Sequence, residues 1–301
     1  MTHNITIAGV GLIGSSLARA ARARGLAGSI VALEATPERC REVIDLALAD
    51  AAYTDPARAV RGADMVVLAV PVGQMGAVAA AIGPHLAPGA IVTDTGSVKR
   101  AVVEAVTPHI PAHATFVPGH PVAGTEKSGP AAGFAELFAE RWVVLTPAPE
   151  TPIRAVEAVT ALWEACGARL AFMDSERHDL VLAMTSHLPQ LIASTIVGTA
   201  AHLSADLREE VVRYAAGGFR DFTRIAASDP TMWRDIFLAN RWAALEVLDR
   251  FETDLAAART AIESGDGQAL YDLVSRGRAI REGVVAAGQA TPEEAKRGAA
   301  S

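Results

Sequence analysis

The chain predicts an α/β fold, with a doubly wound, mainly parallel sheet in its first half and an all-α second half. Three observations carry this. Short, near-continuous apolar runs at residues 5–8, 29–33, 65–70 and 90–94 alternate with alanine-rich helical stretches, the pattern of strands covered on both faces. A glycine-rich turn, Gly9-Val10-Gly11-Leu12-Ile13-Gly14, joins the first run to the first helical stretch. Strand-like runs continue at 115–117, 141–146 and 169–173 and then stop, which puts a domain boundary near Asp174.

The 301 residues suffice for two domains, read as 1–174 and 175–301. No stretch is an uninterrupted apolar segment of membrane-spanning length. The closest, residues 65–82, is broken by Pro71, Gly73, Gln74 and Gly76 and reads as strand, turn and short helix. A net charge of -7 argues against a nucleic-acid binder, which needs a basic footprint. Cys40 and Cys166 stand far apart without metal-type spacing, so neither a zinc site nor a disulfide scaffold is expected. The N-terminus has no basic region followed by an apolar core. The expectation is a soluble, cytoplasmic protein without membrane or nucleic-acid partners.

The strand, glycine turn and helix order is that of a Rossmann-type dinucleotide site. Gly9 permits the tight turn, Gly11 lets a pyrophosphate approach, Gly14 lets helix and strand pack, and the helix N-terminal amides at Leu12 and Ile13 face the phosphates. The second strand ends in Glu34, twenty residues past Gly14. An acid there accepts from a ribose diol and repels a 2′-phosphate, favouring NAD over NADP. Val70 and Pro71 end the third strand, where open α/β sheets place their ligand crevice.

Candidate chemistry gathers at the following strand ends. Ser97 in Thr95-Gly96-Ser97-Val98-Lys99 either caps a helix over 98–106 or turns its hydroxyl to the crevice. His120, ahead of Pro121 and just after the run 115–117, is expected on a loop at the same sheet edge. In the second half, Asp174 or Ser175 caps a helix whose apolar stripe includes His187, and Pro189 frees the Thr185 carbonyl, marking a kink or a site. Arg220 and Arg224 share a face if 222–227 is helical, and either can hold a carboxylate or tie helices together. Residues 232–262 lack proline and glycine and predict one helix of roughly thirty residues, suited to an intersubunit bundle. A last helix is expected over 270–287, then a frayed tail from Gly288.

The glycine turn with Ser15 and Ser16, the stretch 95–99, Gly119 to Gly129 with its His-Pro-Val-Ala-Gly-Thr-Glu-Lys-Ser-Gly, Thr185-Ser186-His187-Leu188-Pro189, and Gly218 to Asp235 with its Phe-Arg-Asp-Phe-Thr-Arg-Ile-Ala together resemble the prephenate/arogenate (cyclohexadienyl) dehydrogenase family of tyrosine biosynthesis. The resemblance spans nearly the whole chain, and the last and the His120 stretches are its most specific parts. It implies an NAD-dependent oxidative decarboxylation in which His120 accepts the ring hydroxyl proton and Ser97 orients that hydroxyl. It further implies Arg224, with Arg220 as the second candidate, at a substrate carboxylate, His187 at the substrate side chain, Thr125 among the substrate contacts, no metal, and a homodimer. The family often continues Ser-His-Leu-Pro with histidine, whereas this chain has Gln190, which leaves prephenate against arogenate open. Two other readings remain: a β-hydroxyacid or imine-type dehydrogenase, which is expected to carry a lysine where this chain has His187, and a non-catalytic NAD sensor.

Overall fold

The computed structural model describes residues 3–125, 127–202, 210, 213–215 and 217–286. Its main sheet holds β1 (His3–Ala8), β2 (Ala27–Leu33), β3 (Ala51–Tyr53), β4 (Met65–Leu68), β5 (Ile91–Asp94) and β6 (Thr115–Val117), all parallel, in the order β3-β2-β1-β4-β5-β6. Period-two alternation decides which side chain enters which layer. Ile5, Ile7, Met65 and Val67 pack on one face with Leu17, Phe138, Val159 and Trp163, while Ala8, Val66 and Leu68 pack on the other with Met75, Ile82, Val92 and Val106. The order reverses between β1 and β4, so a ligand crevice opens at their carboxyl ends.

A second sheet carries the His120 motif and corrects its expected loop placement. β7 (Gly119–Pro121) pairs antiparallel with β8 (Trp142–Leu145), which pairs in parallel with β9 (Arg169–Phe172). Pro118 has no N–H with which to prolong β6. Its carbonyl instead accepts from Thr146 N at 3.0 Å, and His120 lies in register with Val144. The imidazole is therefore mounted on a strand.

Beyond Phe172 the described residues are helices and turns. Asp174 is the cap of the helix Ser175–Leu182, its side chain accepting from Arg177 N at 2.7 Å. A π-turn over Ala183–His187 follows, then α8 (Leu188–Ala201) with Pro189 in its first turn. This is how the helix absorbs the amide that proline lacks, by widening one turn rather than breaking. The joined run 175–200 is long and apolar enough to cross a membrane by length and composition, which the sequence reading missed because it judged 65–82 the closest candidate. One third of the window is buried in this chain, and His178, Asp179, His187 and Gln190 are among its buried residues.

The single helix expected over 232–262 is two, Pro230–Ala239 and Arg241–Ser264, parted at Asn240 (φ -104°, ψ 31°). Asn240 is fully buried and spends its amide on other helices, a competition that hydrophobic periodicity does not show. Residues 1–244 form one compact unit, and 245–301 a second whose described part is the rest of that helix and a last one, Gly267–Ala286. Ala287 and the tail from Gly288 lie outside the described residues, as does Glu126.

The helix α1 (Leu12–Ala23) crosses β1 so closely that a Cβ on Gly14 would overlap the Gly9 carbonyl oxygen and stand 3.1 Å from Ile7 Cγ2. Gly14→Val is expected to cost about 2 kcal/mol of stability, read by urea unfolding, and to weaken NAD binding in titration calorimetry.

Candidate active site

The glycine turn is built to leave space. Gly9 takes φ +86° against Val70 and the Ala69 carbonyl, where a side chain would strain and collide, whereas a Cβ on Gly11 would meet nothing within 4 Å. No side chain caps the N-terminus of α1, so its first amides at Leu12 and Ile13 are available to an anion. Glu34, 8% exposed, accepts from Val10 N at 2.5 Å and lies 4.0 Å from Arg39 Nε. Burial raises its carboxyl above the ordinary range and the Val10 hydrogen bond opposes the rise. These features fit a dinucleotide: the glycines leave open backbone beside the free amides, Glu34 offers a buried carboxylate at the end of β2, and Val70 and the exposed Pro71 follow β4 at the same sheet edge.

A buried ion pair then fixes the strand that carries His120. Lys99 and Asp94 are fully buried and paired. Asp94 accepts from Gly119 N at 3.0 Å and Gly96 N at 2.8 Å, and Lys99 Nζ donates to the Gly119 carbonyl at 2.7 Å. Both peptide groups of the residue before His120 are thus held. Burial pushes the Lys99 ammonium below its ordinary pKa and Asp94 opposes this. Removing one partner of such a pair strands a charge, at a cost of about 3–5 kcal/mol.

From His120 a chain of contacts leads into the helices. His120 Nδ1 lies 2.9 Å from His178 Nε2, and His178 Nδ1 lies 2.8 Å from Asp179 Oδ1. Asp179 also accepts from Lys99 N at 2.7 Å and Arg100 N at 3.0 Å, so it caps α5 (Arg100–Val106). A distant carboxylate thus takes the capping role that was one of the two readings of Ser97, and Ser97 stays half-buried without a hydrogen bond to the described residues. Burial, reinforced by His178 and Lys99, holds the His120 imidazole well below its usual pKa, and burial lowers His178 too.

His187 belongs to the same network through Asn240. The Asn240 amide nitrogen donates to the Asp179 carbonyl at 2.9 Å and faces His187 Nδ1 at 3.1 Å. A carbonyl only accepts, which fixes the amide orientation and makes His187 Nδ1 an acceptor. Its proton therefore sits on Nε2, which is buried without a partner among the described residues, as is Trp233 Nε1 of the indole stacked edge-on against it. Burial brings His187 down to a pKa of about 4. His187 thus presents a neutral N–H donor.

The remaining predicted residues lie around this network. Gln190 is 3% exposed, its amide nitrogen 3.4 Å from Ser194 Oγ on the next turn. Arg220, on the helix Gly217–Thr223, is exposed and paired with Asp221 at 3.2 Å, while Arg224 is an exposed, partnered residue opening the 3₁₀ turn Arg224–Ala227. The α-helix ends between the two arginines, so the single helical face assumed for them is interrupted. Thr125 is exposed and accepts from Lys127 N at 3.2 Å, at the edge of a cavity of about 280 Å³ lined by Phe134, Leu137 and Arg141. Among the described residues no His, Cys, Asp and Glu cluster could hold a metal ion. Asp94, Lys99, His178, Asp179 and Asn240 join the network without having been candidates on sequence pattern alone. An adjacent His-Asp pair in the first turns of a helix and a lysine directly after Ser97-Val98 were the available signals.

Two family models match end to end: the prephenate dehydrogenase nucleotide-binding domain over residues 17–172 and the prephenate dehydrogenase dimerization domain over 174–276. The chain belongs to the prephenate dehydrogenase family. Among relatives in that family, the cyclohexadienyl dehydrogenase of Zymomonas mobilis is 47% identical over 270 residues, spanning 89% of this chain and 92% of the relative. The prephenate dehydrogenase of Aquifex aeolicus, solved with hydroxyphenyl propionate and NAD+, matches at 33% identity and a TM-score of 0.88 over 94% of this chain and 99% of that one. Synechocystis arogenate dehydrogenase matches at 28% identity and a TM-score of 0.79, over 93% and 99%. The protein is an NAD-dependent dehydrogenase of this family.

The lowered histidine pKa values set a pH dependence of stability. Below pH 6.5 the unfolded chain binds protons that buried His187 refuses until about pH 4, so stability is present above 6.5 and is lost as the pH falls through that window. The expected loss from His187 is about 3 kcal/mol, measured as the difference in urea unfolding free energy between pH 7 and pH 4, and His187→Phe should reduce it.

Proposed function

We propose that the enzyme converts prephenate to 4-hydroxyphenylpyruvate and arogenate to tyrosine, each with loss of carbon dioxide. The observation that carries this is His120, an imidazole held neutral by burial at the sheet edge beside the NAD crevice, with Nε2 unpaired among the described residues. NAD, when bound, supplies the hydride acceptor. His120 Nε2 accepts the proton of the ring hydroxyl as it becomes a carbonyl, and Ser97 orients that hydroxyl. Arg224, with Arg220 as the second candidate, holds a substrate carboxylate. His187 Nε2–H meets the side chain, with Gln190 and Thr125 as further contacts.

The buried Glu34 supports a preference for NAD over NADP. A functional boundary near 174 is part of this reading, supported by family models that match 17–172 and 174–276. A soluble, cytoplasmic homodimer that acts on a small-molecule substrate completes the reading, without membrane or nucleic-acid partners. Leu255, Ile262, Tyr271, Val274 and Ile280 of the second unit are each more than half exposed and need an apolar cover.

Purified protein mixed with NAD and prephenate, or NAD and arogenate, should generate NADH absorbance; no signal with either substrate would remove the proposal. His120→Asn should retain NAD binding and lose roughly 10²–10⁴-fold in kcat. The acid limb of kcat/KM should lie well below pH 6.5, because the base works unprotonated and burial lowers its pKa. Comparable efficiency with NADP would rule out the role given to Glu34. Light scattering at micromolar concentration should give twice the mass of one chain.

A further inference from the structure

We propose that His178 and Asp179 are positioning residues that fix the tautomer of His120, so that its Nε2 is a proton acceptor before substrate arrives. The inference rests on the reading of His120 as the base and extends it inward. Asp179 as a carboxylate only accepts, and it already takes the Lys99 and Arg100 amides. The 2.8 Å contact from His178 Nδ1 to its Oδ1 therefore puts the His178 proton on Nδ1. His178 Nε2 is left with a lone pair, which can engage His120 Nδ1 at 2.9 Å only if that nitrogen carries hydrogen. The proton of neutral His120 is then on Nδ1 and the lone pair on Nε2.

The opposite arrangement is shut out by the surroundings. A protonated His178 would donate to His120 Nδ1 and turn Nε2 into a donor, useless as a base. Burial, with Lys99 acting on both rings, works against that second charge and outweighs the opposing pull of Asp179 and Asp94 on His178, while His187 adds to the effect on His120. In the reaction the substrate O–H bond breaks, its electron pair forms the ring carbonyl, and the proton bonds to His120 Nε2 as the hydride leaves for NAD. The resulting imidazolium keeps Nδ1–H on His178, and His178 keeps Nδ1–H on Asp179. No second proton moves: the pair orients His120 and stabilises the imidazolium as it forms, the role a carboxylate has behind the histidine of a serine-protease triad.

The test combines ring-nitrogen NMR with kinetics on the full chain. In ¹⁵N-histidine-labelled protein near pH 7.5, His120 Nε2 should give an unprotonated, pyridine-type resonance and Nδ1 a protonated one, with assignment from His120→Asn. His178→Leu should lose at least about a hundredfold in kcat with the KM for prephenate and the NAD affinity changed less than threefold. His178→Gln, whose carboxamide oxygen can accept from His120 Nδ1–H, should recover at least tenfold of that loss. A protonated Nε2 in the unsubstituted protein, or a His178→Leu enzyme within threefold of normal kcat, would overturn the proposal. If neither substrate is turned over, the function above has failed, and the NMR result still decides the tautomer.

Discussion

Asp179 is buried, and a buried carboxylate persists only where donors reach it. Here the donors come from the separate parts of the site. The Lys99 and Arg100 amides lie at the start of the helix after β5, and His178 leads to the strand that carries His120. The peptide carbonyl of the same residue takes Asn240, which leads to His187. Each bond also satisfies a group that would otherwise be left unmade in the interior, so the sheet edge and the helices have one favourable way to meet.

Two buried histidines emerge from this hub with complementary capacities. His187 shows an N–H on Nε2 because Asn240 occupies its other nitrogen as a donor. His120 reaches the hub through an imidazole that is itself backed by a carboxylate. The protein distinguishes the two rings by what stands behind each, since burial depresses both pKa values alike. Separating functions by environment in this way needs no difference in residue type. The Lys99–Asp94 pair adds precision on the strand side, gripping the peptide groups of Gly119 so that the His120 backbone has little freedom.

The sheet and its glycine turn were legible in the sequence because apolar alternation, strand length and glycine spacing all express the same local rules. Asp174 as a cap and Pro189 as a perturbation were legible for that reason too. The strand around His120 was not, since its partner β8 lies twenty residues on and three-residue strands leave no periodic trace. Asn240 looked like one more position in a long helix, because its reasons for breaking that helix are Asp179 and His187, far away along the chain. His178 and Asp179 were passed over on similar grounds: a charged pair near a helix start reads as solvated until its burial is known.

The π-turn at Ala183–His187 bears on direction rather than on bonding. In an unbroken α-helix, at about 100° per residue, Gln190 would stand about 120° around the axis from His178. One additional residue in a widened turn takes back about 100° of that angle. His178 and Gln190, both buried, are thereby brought back toward one side of a helix that alone would have turned them apart. The widened turn acts as a phase shifter, and the side on which Gln190 is buried depends on an angle as much as on its place in the sequence.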